Sequence, residues 1–141
     1  MKIRDAIPSD LPAMISIDPY AKAEGKEKRC QQIHQWVTEG DAIVAMIDDL
    51  VAGYAVMDYH FFGFGFISML IVEDKHKRQG VATALIKALE ERCETEKIFT
   101  STNESNVPMQ ALLHRMSYEP SGTVYNLDDG DPELFFVKRM R

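Results

Sequence analysis

Apolar residues recur along this chain with two spacings, one typical of amphipathic helices and one typical of strands. Proline, glycine and acidic turns separate the segments. The pattern predicts the order β-α-α-β-β-β-α-β-α-β-β. These elements are a strand at 2–5, a helix from 8 that ends at Pro19, a helix around 30–40, strands at 42–47, 51–59 and 66–72, a helix at 81–93, a strand at 98–101, a helix from 107, and strands at 123–125 and 134–137.

The element order predicts a layered α/β or α+β sandwich in a single domain over residues 1–141. Short turns join the strands at 42–47, 51–59 and 66–72, so we expect an antiparallel meander. A helix joins the last of these to the strand at 98–101, and such a crossover makes a pair of strands parallel. The strand at 66–72 is apolar almost throughout, which predicts burial on both faces.

Composition and charge narrow the class of partner. The 141 residues have a net charge of −6, which disfavours nucleic-acid binding and fits a cationic or amine acceptor, although acidity also simply promotes solubility. No segment predicts a membrane span or a signal peptide, so we expect a cytoplasmic protein. Cys30 and Cys93 form no CxxC pair, and we expect free thiols, with a disulfide as the less favoured alternative.

The segment 70–83 combines an apolar strand, a basic loop and the start of the clearest predicted helix. The first N–H groups of a helix lack internal partners and attract anions, phosphate above all. Gly80 allows close approach to the backbone, and Lys75, Lys77 and Arg78 add positive charge. The loop has neither the Gly-Lys-Ser/Thr of a nucleotide P-loop nor the three glycines of a Rossmann turn. A solvated basic loop is the alternative that these residues alone leave open.

The run from Lys77 to Ala82, Lys-Arg-Gln-Gly-Val-Ala, resembles the Arg/Gln-x-x-Gly-x-Gly/Ala signature of the GNAT superfamily of acyl-CoA-dependent N-acyltransferases. Lys77 departs from it, since the family has Arg or Gln there. The predicted element order also resembles the family fold over nearly the full chain. The resemblance implies a mixed, mainly antiparallel sheet with one splayed parallel strand pair, helices on both faces, and acetyl-CoA as the acyl donor.

The resemblance also implies an acetyl-CoA site. Backbone N–H groups from Arg78 to Thr83 would hold the pyrophosphate, and main-chain groups of Leu70 and Val72 would bind the pantetheine arm as an added strand is bound. The implied cofactor-binding residues are Leu70, Val72, Lys77, Arg78, Gln79, Gly80, Val81, Ala82, Thr83 and Asn106.

A second segment, from Asn106 to Tyr118, resembles the family pattern Asn-x-x-x-x-x-Leu-Tyr-x-x-x-Gly-Phe. Asn106 would contact pantetheine, cap the next helix, or do both. Leu113 stands where the family often has the tyrosine that protonates the departing thiolate, and Ser117 replaces the glycine. The acid for the thiolate is therefore unassigned, and we expect Tyr118 to pack in the core.

The implied reaction is direct attack of a neutral primary amine on the acetyl thioester, which needs a base. Some family members have this base on the strand before the loop, at positions that match Phe66 and Ser68. Phenylalanine cannot titrate, and a serine can only orient a water. We rank Glu104 first and take Glu104 and Ser68 as the catalytic candidates, with His60 as an alternative.

Acceptor recognition should come from the first two helices, the turn region 59–64 and the terminal hairpin. The aromatic residues near that turn either line an acceptor slot or, as we favour, pack in the core or in a dimer interface. They are Tyr59, Phe61, Phe62, Phe64 and Phe66. The acidic turn 128–131 lacks the terminal glutamate of a calcium loop, so we expect no metal.

Two other functions fit the sequence. The chain would be a catalytically silent acyl-CoA-binding sensor or interaction module if the anion site exists without catalysis. It would be a structural domain if the anion site does not exist. For the enzyme we expect an amine-bearing acceptor and neither nucleic acid nor membrane as partners, and a homodimer is left open.

Overall fold

The computed structural model describes residues 1–21 and 26–140 of the chain. Its strands are β1 (Lys2–Asp5), β2 (Ala42–Ile47), β3 (Leu50–Phe61), β4 (Phe64–Val72), β5 (Lys97–Asn103), β6 (Glu119–Val124) and β7 (Glu133–Arg139). The α-helices within the described ranges are α1 (Leu11–Ile17), α2 (Lys26–Glu39), α3 (Val81–Arg92) and α4 (Val107–Arg115). The strands form one sheet in the order β1-β2-β3-β4-β5-β7-β6.

The predicted element order and fold class are confirmed. The sheet is mixed and mostly antiparallel, with β4 and β5 as a parallel pair. Helix α3 connects these two strands along the chain, as a parallel connection requires. Their pairing runs from Gly65 opposite Ile98 to Ile67 opposite Thr100.

The β3–β4 hairpin is tighter than the sequence pattern predicts. The predicted strands at 51–59 and 66–72 leave residues 60–65 for the turn, but Phe61 and Phe64 belong to the strands and only Phe62 and Gly63 form the turn. Both turn residues have left-handed φ values, 52° and 81°. A two-residue turn of this kind matches the twist of the flanking strands, which lets both strands extend to its edge.

Strand β4 is well buried on one face only, so the prediction of burial on both faces was wrong. Gly65, Ile67 and Ile71 are buried, while the alternate residues from Phe64 to Val72 are only half-buried. On this second face, Phe64 and Phe66 contact the aromatic rings of β3, β5 and β7. Such lateral contacts shield part of the face.

Contacts divide the chain into two compact units, Met1–Met57 with Met69–Leu89, and Asp58–Ser68 with the residues from Glu90 onward. Helices α1 and α2 pack in the first unit, where the Tyr54 hydroxyl donates a hydrogen bond to the fully buried Asp18 carboxylate. Burial raises the pKa of Tyr54. Arg29 Nε lies 3.8 Å from the same carboxylate, so the buried charge is paired.

The second unit is held together around β5. Thr100 Oγ1 donates a hydrogen bond of 2.9 Å to the Ile67 carbonyl and so ties the parallel strands. The Tyr118 hydroxyl and Lys138 Nζ both donate to Glu90, at 2.7 and 3.2 Å. Tyr118 is buried, as predicted.

Helix α2 spans Lys26–Glu39, whereas the sequence pattern predicts a helix around 30–40. Residues 22–25 lie outside the described ranges. Cys30 and Cys93 are free thiols, as predicted. No helix in the described part of the chain is long and apolar enough to cross a membrane.

Candidate active site

The loop between β4 and α3 leads directly into the first turn of α3. A 3₁₀ turn, Asp74–His76, follows β4, and α3 begins at Val81. The Gly80 carbonyl accepts the N–H of Ala84 at 3.0 Å, the first helical hydrogen bond. The N–H groups that precede Ala84 therefore lack partners within the helix. These are the groups for which the sequence predicts anion binding.

Gly80 has the backbone and the open space that an anion site requires. Its φ is 79°, a conformation that side chains strongly disfavour. A Cβ placed at Gly80 would meet no heavy atom within 4 Å. The space in front of the backbone therefore suits a phosphate group, and the residues present fit the pyrophosphate of acetyl-CoA.

The loop's basic residues differ in how far their charge is compensated. Lys77 Nζ lies 3.0 Å from the exposed Asp74, and Lys75 Nζ lies 3.7 Å from Glu73. Arg78 is exposed, and no ion pair to it exists among residues 1–21 and 26–140. Glu73 and Asp74 therefore offset part of the positive charge of the two lysines. Among these three basic residues, Arg78 is the one whose charge is left for an anion.

Sequence reasoning missed Gly53, which allows α3 to pack closely on β3. A Cβ at Gly53 would lie 2.7 Å from the Ile71 carbonyl oxygen and 3.0 Å from Val81 Cγ1. The Ile71 oxygen belongs to the backbone, so it cannot move without displacing β4. An isolated glycine within a strand pattern was the available signal, because it often marks close backbone approach.

The segment from Asn106 to Tyr118 forms helix α4 and its two ends. The side-chain oxygen Oδ1 of Asn106 accepts the N–H of Met109 at 3.2 Å and caps the helix, which leaves the side-chain NH₂ for another partner. Leu113 is fully buried. Ser117 has a φ of 70°, which explains why the family prefers glycine at this position.

The catalytic candidates occupy different environments. Ser68 Oγ is buried and has no hydrogen-bond partner in the described ranges. Glu104 is exposed in the loop after β5, where its N–H donates to the Pro132 carbonyl at 2.8 Å. His60 is exposed near the end of β3.

The cofactor-binding candidates fall into two groups. Residues from Lys77 to Thr83 come together at the start of α3, and Leu70 and Val72 lie at the end of β4. Asn106, like Ser68 and Glu104, belongs to the second unit.

The aromatic residues near the β3–β4 turn join others that the sequence analysis did not single out. Phe61 contacts Phe66, Phe99 and Phe135, with ring centroids 5.1 to 5.6 Å apart. Beside them, Glu133 Oε2 accepts a hydrogen bond of 2.7 Å from Ser101 Oγ. The period-two pattern of β5 and β7 was the only available signal, and it does not reveal which strands are neighbours.

This fold, with this strand–loop–helix junction, is typical of the CoA-dependent acyltransferases. The family model for the acetyltransferase (GNAT) family matches residues 10–118. The chain belongs to this family, whose acyl donor is acetyl-CoA.

Solved structures agree with the family assignment. A GNAT acetyltransferase from Bacillus cereus has 33% identity and a TM-score of 0.90, and the match covers 98% of this chain and 96% of that one. A ribosomal-protein-alanine N-acetyltransferase from Brucella melitensis has 23% identity, a TM-score of 0.78 and 99% coverage of both chains. The yncA protein from Salmonella typhimurium, solved with its cofactor acetyl-CoA, has 16% identity and a TM-score of 0.79, with 100% and 94% covered. No curated protein sequence matches the chain significantly.

Proposed function

We propose that this protein transfers the acetyl group of acetyl-CoA to a primary amine by direct attack. The main support is Gly80, whose left-handed backbone faces open space at the start of α3 next to the exposed Arg78. When bound, acetyl-CoA supplies the acetyl group as a thioester. Backbone N–H groups up to Thr83 would hold its pyrophosphate, while main-chain groups of Leu70 and Val72 would hold its pantetheine arm.

The catalytic candidates Ser68 and Glu104 would position the acceptor and transfer its protons. The amine must first lose a proton, because alkyl ammonium groups are charged at neutral pH. Its nitrogen then bonds to the carbonyl carbon and loses a second proton, the C–S bond breaks, and the thiolate takes up a proton; from the ammonium and the thioester, the net products are an amide, a thiol and one proton. Ser68 would orient a water or the amine, and Glu104 would pass the released proton to solvent. Since Leu113 is apolar, water would protonate the thiolate.

The second candidate function is a catalytically silent acyl-CoA-binding module. One observation favours this function: Leu113 is completely buried at the position where the family often has a tyrosine. This function predicts that acetyl-CoA binds and that no amine triggers thiol release.

A thermal-shift experiment tests the acetyl-CoA site. At about 100 times its Kd, acetyl-CoA should stabilise the wild type by about 2.7 kcal/mol. The Gly80→Glu variant should lose this shift, because a carboxylate would occupy the anion site. Gly40→Glu is a matched control, since Gly40 has a φ of 77° and the same open space. Equal shifts in the two variants would contradict the site.

A further inference from the structure

Strands β4, β5 and β7 present phenylalanine rings on one half-buried face. The parallel register pairs Phe66 with Phe99, and the Phe135 ring lies 6.1 Å from that of Phe66. The Phe61 ring lies 5.1 Å from Phe66 and from Phe99, and stacks on Phe135 at 5.6 Å with planes 21° apart. We call these four residues the aromatic face. The Phe61 ring therefore packs against the three other rings at distances at which aromatic groups attract each other.

The two ends of the aromatic face differ in charge. The register pairs Lys97 with Arg139 at one end and Asn103 with Glu133 at the other. Glu133 uses Oε2 to accept the Ser101 hydroxyl, and a carboxylate has acceptor capacity on its second oxygen as well. A cationic group would therefore be attracted to the Glu133 end and repelled from the Lys97 end.

A polar group without a partner lies on the same face. Ser68 follows Phe66 by two residues in β4, so both side chains point to the same side of the sheet. Ser68 Oγ is buried, and no described residue offers it a hydrogen bond. Because an unsatisfied buried hydroxyl is costly, a bound polar group is the expected partner.

From these three observations we propose that the acceptor is a primary amine with an aromatic-sized apolar group. The apolar group packs on the aromatic face, and the ammonium group faces the Glu133 carboxylate. The inference rests on the proposed acetyl transfer and names the acceptor class for it. A polyamine is disfavoured, because it has no apolar group to cover the rings.

Two amines that differ only by a phenyl group provide the test, with thiol release from acetyl-CoA as the readout. We expect kcat/KM to be at least about tenfold higher for 2-phenylethylamine than for ethylamine, because only the former covers the rings. Phe99→Leu keeps an apolar side chain of similar size but removes a ring, and should bring this ratio close to one. The KM for acetyl-CoA should not change.

The carboxylate is tested separately. Glu133→Gln should raise the KM for 2-phenylethylamine by about tenfold, since a charged hydrogen bond is replaced by a neutral one. Glu119→Gln, an exposed change on neighbouring β6, is the matched control and should leave the KM unchanged. Equal KM values in the two variants would overturn the role of Glu133.

Two results would overturn the proposal. The first is an equal kcat/KM for the two amines in the wild type, and the second is a ratio that Phe99→Leu does not change. If, in the second case, sedimentation also shows a change from dimer to monomer in Phe99→Leu, the face is a contact between two copies of the chain.

Failure of acetyl transfer itself is distinguishable. If acetyl-CoA binds and no amine is acetylated, the proposed function is wrong, and the binding of 2-(4-fluorophenyl)ethylamine decides the inference. Broadening of its ¹⁹F signal by the wild type but not by Phe99→Leu supports the aromatic face. Equal broadening by both, or by neither, overturns it.

Discussion

Single residues with unusual steric or electrostatic requirements position the elements of the first unit. Gly53 leaves no room for a Cβ between β3 and the first turn of α3, whereas Gly80 has ample room but a φ that only glycine adopts easily. Arg4 and Asp10 form an ion pair between β1 and the start of α1. Two hydrogen bonds join the guanidinium to the carboxylate, with N–O distances of 2.7 and 3.0 Å. The Arg4 hydrogen bonds are the main reason that the pKa of Asp10 lies below its usual value.

The lowered pKa of Asp10 predicts a pH-dependent contribution to stability. A carboxyl group with a depressed folded pKa stabilises the fold above its unfolded pKa, and this contribution disappears as the pH falls through the folded value. Asp10→Asn should therefore lower the free energy of unfolding by about 1–2 kcal/mol at pH 7 and by much less below about pH 3. Urea unfolding at both pH values measures this. Asp129→Asn, in the exposed terminal turn, should show no such loss, and a pH-independent loss for Asp10→Asn would contradict the ion pair.

At the scale of elements, helix α4 ends in a Schellman motif built on a non-glycine residue. The N–H of Tyr118 donates to the Leu113 carbonyl at 2.9 Å, and the N–H of Ser117 donates to the His114 carbonyl at 3.1 Å. Ser117 occupies the left-handed position of this motif. The motif turns the chain so that Leu113 and Tyr118 both enter the core.

Ser117→Gly should stabilise the protein. Glycine removes the steric cost of the left-handed conformation, which outweighs its greater freedom in the unfolded chain, so we expect a gain of about 0.5–1 kcal/mol. Denaturant unfolding would detect it as a higher midpoint at constant slope. Ser117→Ala retains a Cβ and should give no gain. If alanine stabilised as much as glycine, backbone strain would not be the reason.

At the scale of the molecule, burial is distributed unevenly across the sheet. The four residues from Ala42 to Ala45 of β2 are buried, whereas all six residues of the edge strand β6 are exposed. Edge strands with little apolar contact open locally at low cost.

Native-state hydrogen exchange should reflect this difference. We expect amides of β6 to exchange more than about tenfold faster than those of β2, after correction for intrinsic rates. Equal protection would mean that β6 opens only with global unfolding. Thr100, Thr102 and Ile98 in buried positions of β5 serve as an internal reference for slow exchange.

Local features were predictable because their causes lie within a few consecutive residues. Pro108 and Asn106 together indicated the start of α4, and the structure has it at Val107. The burial of β4 was mispredicted because the same apolar run suits a strand that is buried on both faces and one that is shielded laterally by rings such as Phe61 and Phe99. Only knowledge of which strands lie next to β4 distinguishes these two cases.

The sequence by itself determined the order of the elements and predicted an anion site before α3. Periodicity and the loop from Lys77 to Gly80 are properties of contiguous residues, and helix geometry turns them directly into exposed N–H groups. Only the tertiary structure decided the close packing at Gly53, the aromatic face and the position of Glu133 beside Ser101. These features join residues that are far apart in the chain. The chain order predicts that β4 and β5 are parallel, but the pairing of β5 with β7 and the packing of α3 on β3 depend on contacts that no local pattern encodes.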